Sequence, residues 1–264
     1  MNKKLLAVLQ FVLFAATIVV NAMANALPIN GLNTGEVSAL YPNLFVPAGF
    51  TFSIWGVIYL FLLGYVVLSG IVLWKFEDDE PALQHVRSIA LPFLITCILN
   101  AAWIFSWHYL QTVLSLIIML WLLRTLMAVY TKMQQHRSVI TGIYFLGLYV
   151  PFVVYLAWIS VATIANSAAL LVNIQWNGFG INEWIWSCGM IAVAFLLTVW
   201  FTYKQGELSF GLVTAWAFFG IYKGQLTTDI TVSATALTAS VLSLIFAVVG
   251  FIRWTRKTPL EGII

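Results

Sequence analysis

Long apolar runs, broken by short polar clusters, set the pattern of this chain. Runs of about 20 apolar residues, the length a helix needs to cross a bilayer, fall at approximately 4–26, 51–74, 88–110, 112–131, 139–165, 184–203, 208–223 and 230–253. The pattern predicts an all-α fold, a polytopic membrane helix bundle of about eight transmembrane helices, of which the seventh is the shortest. Three connections stand out. Residues 27–50 contain Pro28, Gly31, Gly35, Pro42, Pro47 and Gly49 and no basic residue; connections of this length often serve as lids or binding elements. Residues 75–87, KFEDDEPALQHVR, carry four adjacent acids, Glu77 to Glu80, and read as a solvated charge run. Residues 166–183, rich in Asn and Gly, divide the chain into five spans (1–170) and three (171–264).

The first run has a second reading. Lys3 and Lys4, an apolar stretch and then Ala22-Met23-Ala24 resemble a secretory signal with a small-residue cleavage site. The stretch from Leu5 to Val20 is longer than a usual signal core, which favours a retained helix. No internal repeat is visible, and this weakens an inverted-repeat transporter architecture. The eighth run, ITVSATALTASVLSLIFAVVG, alternates small and hydroxylated residues, a face suited to close helix packing.

Polar residues inside the spans change the picture most. In ILNAAWIFSWHYLQ (98–111), Asn100, Trp103, Trp107 and Gln111 fall at i, i+3, i+7 and i+11, with His108 beside Trp107. These positions share one helical face. An amide facing lipid would leave its donors and acceptors unsatisfied, so the face points inward. It either bonds a neighbouring helix or walls a pocket; at its upper rim, interface anchoring or a bond to the lid explains His108 and Gln111. Trp55, Trp103, Trp121, Trp158 and Trp216 lie deep enough in their spans to face the bundle interior. Trp74, Trp176, Trp184, Trp186, Trp200 and Trp254 sit near span ends, where indoles favour the membrane interface. Arg124 is the one full charge inside a span, near enough to an end to snorkel. No Asp or Glu lies within a span, which argues against ion-coupled transport.

Composition removes the alternative of a soluble fold. The residues are 62% apolar and 8% charged, with a mean hydropathy of +0.98, against roughly a quarter charged in soluble domains. Charge then orients the chain, because cytoplasmic loops favour Lys and Arg. With eight spans, Lys3, Lys4, Lys75, Arg87, Lys132, Arg137, Lys204, Arg253, Arg256 and Lys257 share the side of both termini, and Lys223 falls opposite. Both termini are therefore expected in the cytoplasm. The net charge of +3 calls for no nucleic-acid partner. Cys97 and Cys188 lie in apolar runs and read as packing groups. The chain lacks H-E-x-x-H, G-x-S-x-G, a phosphate-cradling Gly-rich loop and a Cys cluster. Its three histidines, His85, His108 and His136, are scattered. No metal, no resident cofactor and no enzymatic activity are expected.

Three segments carry a family resemblance: PAGFTFSIWGVIY (47–59), LNAAWIFSW (99–107) and YLAWISVATIAN (155–166), in that order on separate spans. Together they resemble the TspO/MBR family, the tryptophan-rich sensory proteins related to the mitochondrial translocator protein (the peripheral benzodiazepine receptor). Trp55 and Tyr59 match the family's second helix, Asn100 and Trp103 its third, and Trp158 and Asn166 its fifth. The likeness covers about residues 5–170; the lid reads NLFVPAGF rather than the family's proline-richer run, and the last three spans have no counterpart in the five-helix fold. The resemblance implies a five-helix bundle whose pocket lies between helices, capped by the loop between the first two. It also implies a multi-pass protein of a bacterial cell membrane. Family members bind flat or rigid apolar molecules, namely tetrapyrroles, sterols and benzodiazepine-type compounds.

The expectation is thus an integral membrane sensor or binding protein for a hydrophobic, planar small molecule, tetrapyrrole- or sterol-like. Trp55, Tyr59, Asn100, Trp103, Trp158 and Asn166 would form the site, with Asn100 orienting the ligand. Pro42, Pro47 and Phe50 would belong to the lid. A transporter of small amphipathic solutes is the alternative. The expected partners are the lipid bilayer, the ligand and, as a further possibility, a second copy in a homodimer.

Overall fold

The computed structural model describes residues 2–27 and 29–257, so Pro28 of the expected lid and residues 258–264 of the last segment lie outside it. Among the described residues the ordered structure is entirely helical. Helix α1 spans Lys3–Ala26, and the connection after it holds a short helix, α2 (Thr34–Ala39). Helix α3 spans Ile54–Lys75, α4 Pro81–His108 and α5 Thr112–Gln134. A short α6 (Gly142–Tyr144) passes through a π-helical turn (Phe145–Tyr149) into α7 (Val150–Asn173). Then come α8 (Glu183–Val199), a second π turn (Trp200–Lys204), α9 (Leu208–Gln225) and α10 (Ile230–Lys257).

Seven of these elements are long and apolar enough to cross a membrane: α1, α3, α4, α5, the α6–α7 unit, α8 and α10. The chain is a multi-pass integral membrane protein. The eighth expected span is present as α9 but is not among the seven. It nevertheless runs the depth of the bundle. It starts next to Glu207, which pairs with Arg137, and it ends at Gln225, which bonds the lid. Eighteen residues at 1.5 Å each reach about 27 Å.

Two boundaries differ most from expectation. Helix α4 begins at Pro81 rather than near 88, because proline suits the first helical turn, where its missing N–H has no role. The acidic connection shrinks to residues 76–80, and His85 becomes a fully buried helix residue. Asp78 there takes an ion pair from Lys3 at 2.9 Å and another from Arg87 at 3.2 Å. The Lys3 ammonium, hydrogen-bonded to it, holds the Asp78 carboxyl below its usual range. Helix α7 continues to Asn173, so the connection before α8 is residues 174–182.

Two prolines inside helices show how backbone polar groups are rescued. Pro92 lies inside α4 and cannot donate to the carbonyl of Ser88 four residues back. Lys132 of α5 supplies the missing donor, its Nζ lying 3.0 Å from Ser88 O. Pro151 opens α7 directly after the π turn, where the wider backbone spares its ring the clash with the preceding turn. From Pro151 to Ile159 every residue of α7 is buried. A helix apolar all round is a central one.

At the end opposite the lid, a buried cluster joins the first five spans to the last three. Glu207 Oε1 accepts from Tyr130 Oη at 2.9 Å, from Tyr149 Oη and from Gln134 Nε2 at 3.3 Å. It also pairs with Arg137 at 3.0 Å. The Arg137 guanidinium lies over the rings of Trp254 (4.3 Å) and Tyr149 (5.3 Å) and donates to Gln205 O at 2.6 Å. The two charged side chains are 11% and 4% exposed, so removing one would strand the other. Replacing Arg137 with Met is expected to cost about 3–5 kcal/mol, and replacing both (Arg137→Met with Glu207→Leu) distinctly less. Thermal unfolding in detergent reads both values; equal losses would mean that the pair is not the joint.

Candidate functional site

The lid end of the bundle is built from aromatic rings set one helical turn apart. Trp55 and Tyr59 stack at 5.6 Å, and Trp103 and Trp107 at 5.9 Å; both are i, i+4 pairs, which share a face. Trp55 also lies 5.9 Å from Trp103 and 6.1 Å from Trp158, the latter edge-on. Phe52 meets Trp158 edge-on at 6.3 Å. The rings of Phe52, Trp55, Trp103, Trp107 and Trp158 line a cavity of about 50 Å³. Its wall continues through Phe45 and Pro47 of the lid connection, Asn166 of α7, and Ala217 and Ile221 of α9.

The polar groups around this cavity divide sharply. Trp103 Nε1 donates to Asn166 Oδ1 at 3.1 Å, and Asn166 Nδ2 donates to Ser115 Oγ at 3.0 Å. Asn100 Oδ1 accepts from Asn21 at 2.8 Å and from Tyr59 Oη at 3.3 Å, and its amide donates to Tyr155 Oη at 2.8 Å. Trp55 Nε1 and Trp158 Nε1, in contrast, are buried without a hydrogen-bond partner, and both residues line the cavity.

Of the residues expected at the site, Trp55, Trp103, Trp158 and Asn166 meet at this cavity, and Pro47 joins them from the lid. Asn100 is not on the wall. It ties α1, α3, α4 and α7 together through its three bonds, and Tyr59 belongs to that network. Phe50 packs edge-on against Trp216 at 5.4 Å, and Pro42 is exposed and apart. The inward face of α4 holds as far as His108, which is fully buried. His108 Nε2 meets Thr34 Oγ1 at 3.2 Å, its Nδ1 meets Ile29 O at 3.1 Å, and Trp107 Nε1 donates to Thr34 O at 3.3 Å. The rim of α4 thus holds the lid. Gln111 is a correction: Leu110 takes a left-handed φ of 58° and Gln111 N–H closes the helix on Ser106 O at 2.9 Å. The helix ends before Gln111, which is exposed. Trp121 is another, being 57% exposed beneath the Arg124 guanidinium at 5.8 Å, while Trp216 is partly buried and bonded to Thr51 O at 3.0 Å.

Sequence reading missed Phe45, Phe52, Ala217 and Ile221 of the wall, and Asn21 of the network. Asn21 had a signal, since Leu6, Gln10, Phe14, Thr17, Asn21 and Ala24 form the buried stripe of α1 at helical spacing. The polar members of that stripe all find partners. Gln10 bonds Tyr65 Oη at 3.2 Å and Ser69 Oγ at 2.7 Å, and Thr17 donates to Cys97 O at 3.2 Å. Among the described residues no group of three or more His, Cys, Asp or Glu is placed to hold a metal.

The family model described as TSPO-like protein matches residues 7–249. The chain belongs to the TSPO-like protein family. The match of this TSPO-like chain runs through the three C-terminal helices as well as the first five spans. No curated protein and no solved structure matches it.

Asn100 in this TSPO-like bundle is expected to matter for stability. Asn100→Leu removes the partner that Tyr155, Tyr59 and Asn21 share. Inter-helix bonds in membranes average about 0.6 kcal/mol and reach about 1.7, so a loss of about 1–3 kcal/mol is expected. Thermal unfolding of the purified protein measures it, and an unchanged midpoint would remove Asn100 as the joint of four helices.

Proposed function

We propose that this protein is an intramembrane binding protein, a sensor, for a hydrophobic planar molecule that carries a hydrogen-bond acceptor. One observation carries the reading. Two buried indole N–H groups, on Trp55 and Trp158, are unpartnered on the wall of an aromatic cavity. A buried donor without a partner costs about 1–3 kcal/mol, and a carbonyl, carboxylate or ether oxygen placed between the two rings would satisfy it. Ring faces and edges around that oxygen suit a flat apolar body. Family membership supports the same class, with tetrapyrrole- and sterol-like molecules as the first candidates.

The size of the cavity limits how the ligand sits. About 50 Å³ is a third of the roughly 150 Å³ that accommodates benzene in an engineered cavity. A multi-ring ligand must therefore also occupy the neighbouring groove, which shares Pro47, Phe52 and Trp55 with the cavity. Transport is less well supported. Towards the other end the axis is filled by Tyr65, Phe93 and Phe152, fully buried and packed with Tyr65 at 4.7 Å from each of the others.

Titration with protoporphyrin IX and, separately, with a sterol tests the reading through quenching of tryptophan fluorescence. Saturable quenching by at least one is expected. Trp55→Phe and Trp158→Phe keep an aromatic ring, though a smaller one, and remove the donor, so each should weaken an acceptor-bearing ligand by at least about 5–10-fold, the equivalent of one hydrogen bond. An unsaturable signal with both probes would end the pocket reading for these classes.

A further inference from the structure

The lid is held differently along its two flanks. On the flank of α8 and α9 it is bonded at each turn. Ala48 N–H donates to Gly220 O at 3.0 Å, Trp216 Nε1 to Thr51 O at 3.0 Å, and Gln225 Nε2 to Val46 O at 3.0 Å. Glu183 Oε1 accepts from Leu44 N–H at 2.8 Å. The approach is so close that a Cβ at Gly220 would overlap the Thr51 side chain, and one at Gly224 would lie 2.9 Å from Val46 O. Only glycine fits at these two positions while the lid is seated.

On the flank of α1 and α3 the lid stands off. There an open groove of about 880 Å³ runs between the helices and the lid, lined by Ile18, Asn21, Phe50, Phe52, Gly56 and Tyr59. No hydrogen bond among the described residues joins residues 29–48 to α1 or α3. Beside the groove, Val19, Val57 and Leu60 present apolar surface to the outside (57%, 44% and 69% exposed), as lipid-facing positions do. Between groove and cavity stand the rings of Phe52 and Trp55, which line both. Trp55 is fixed by its stack with Tyr59. Phe52 is only half-buried, sits on a short 3-10 turn (Gly49–Ser53) and rests against Gly35 of α2. It is the movable half of the partition.

We propose that the cavity exchanges its ligand laterally with the bilayer, between α1 and α3 and past Phe52, while α9 keeps the other flank of the lid shut. Phe52 is the gate; Trp216, Gly220 and Gln225 are positioning residues that seat the lid. The inference rests on the pocket reading above and deepens it. The ligand arrives from the acyl region of the membrane, as a lipophilic molecule, and not as a solute from water.

The test is independent of any ligand. Ala165 lines the cavity from α7, so Ala165→Cys, made with Cys97→Ser and Cys188→Ser, places a single thiol there in proteoliposomes. An apolar, membrane-partitioning maleimide should label it, and a permanently charged methanethiosulfonate given to both faces should not. Phe52→Ala, with Phe52→Leu as the milder variant, should raise the apolar labelling rate severalfold. Trp216→Phe combined with Gln225→Ala should admit the charged reagent. The proposal is overturned if the charged reagent labels the intact lid as fast as the apolar one, if neither reagent labels, or if both Phe52 variants leave the apolar rate unchanged. Failure of both protoporphyrin IX and the sterol to bind, with labelling as expected, would remove these ligand classes and leave the route standing.

Discussion

A polar atom inside a bilayer has no water to turn to, so each one must be answered by the protein. That constraint organises this bundle. Asn100 answers Asn21, Tyr59 and Tyr155; Gln10 answers Tyr65 and Ser69; Asn166 answers Trp103 and Ser115. Even the carbonyl released by Pro92 is answered, by a lysine from the next helix. Each bond crosses between helices, so satisfying the polar groups also fixes the helix positions. Against that background the unanswered indoles of Trp55 and Trp158 carry weight. Other buried atoms lack partners too, such as Thr51 Oγ1 and His85 Nδ1, but of that set only the two tryptophans line the aromatic cavity.

The same constraint explains why α9 can fall short of a lipid-crossing composition. A helix that meets lipid must be apolar outside; one enclosed by protein needs only partners. Phe210, Val213, Ala217, Phe218 and Ile221 of α9 are buried, and its polar residues are used, Trp216 and Gln225 on the lid and Thr214 on its own preceding turn. The helix is bracketed by the Glu207 cluster at one end and the lid at the other. Its position is therefore fixed twice, once at the Glu207 cluster and once at the lid.

How much of this was legible in the sequence follows from what each pattern measures. Runs of apolar residues measure contact with lipid, and they located every span to within a few residues at most ends. They misplaced the start of α4, because the acids before it looked like a loop when Pro81 was already the first helical residue. Three short motifs shared with the TspO/MBR family singled out Trp55, Trp103 and Trp158, and the structure brings these three rings together at the cavity. What the motifs did not report was which polar groups already had partners. Asn100 looks equally suited to a ligand or to a helix joint from its spacing alone; only the positions of Asn21, Tyr59 and Tyr155, from three other helices, show where its bonds go. Ala217 and Ile221 carried no signal, because a small or aliphatic residue on a pocket wall is indistinguishable in sequence from one in a core.

The closed cavity is small, and the way it can grow follows from its walls. Trp103 is held by a stack and a hydrogen bond, Trp55 by a stack and by its neighbours on three sides, and Trp158 lies on the most enclosed helix of the bundle. Close-packed interiors yield where contacts are fewest. Among the aromatic residues of the wall that is Phe52, the one ring only half-buried, between the cavity and a groove more than ten times larger. Turning one phenylalanine merges the two spaces without breaking a hydrogen bond. Lifting the lid instead would break the bonds to Gly220, Trp216, Gln225 and Glu183, at about 0.5–1.5 kcal/mol each. On that comparison the side of the bundle facing lipid is the softer one, and a ligand that already resides in lipid is the one this arrangement favours.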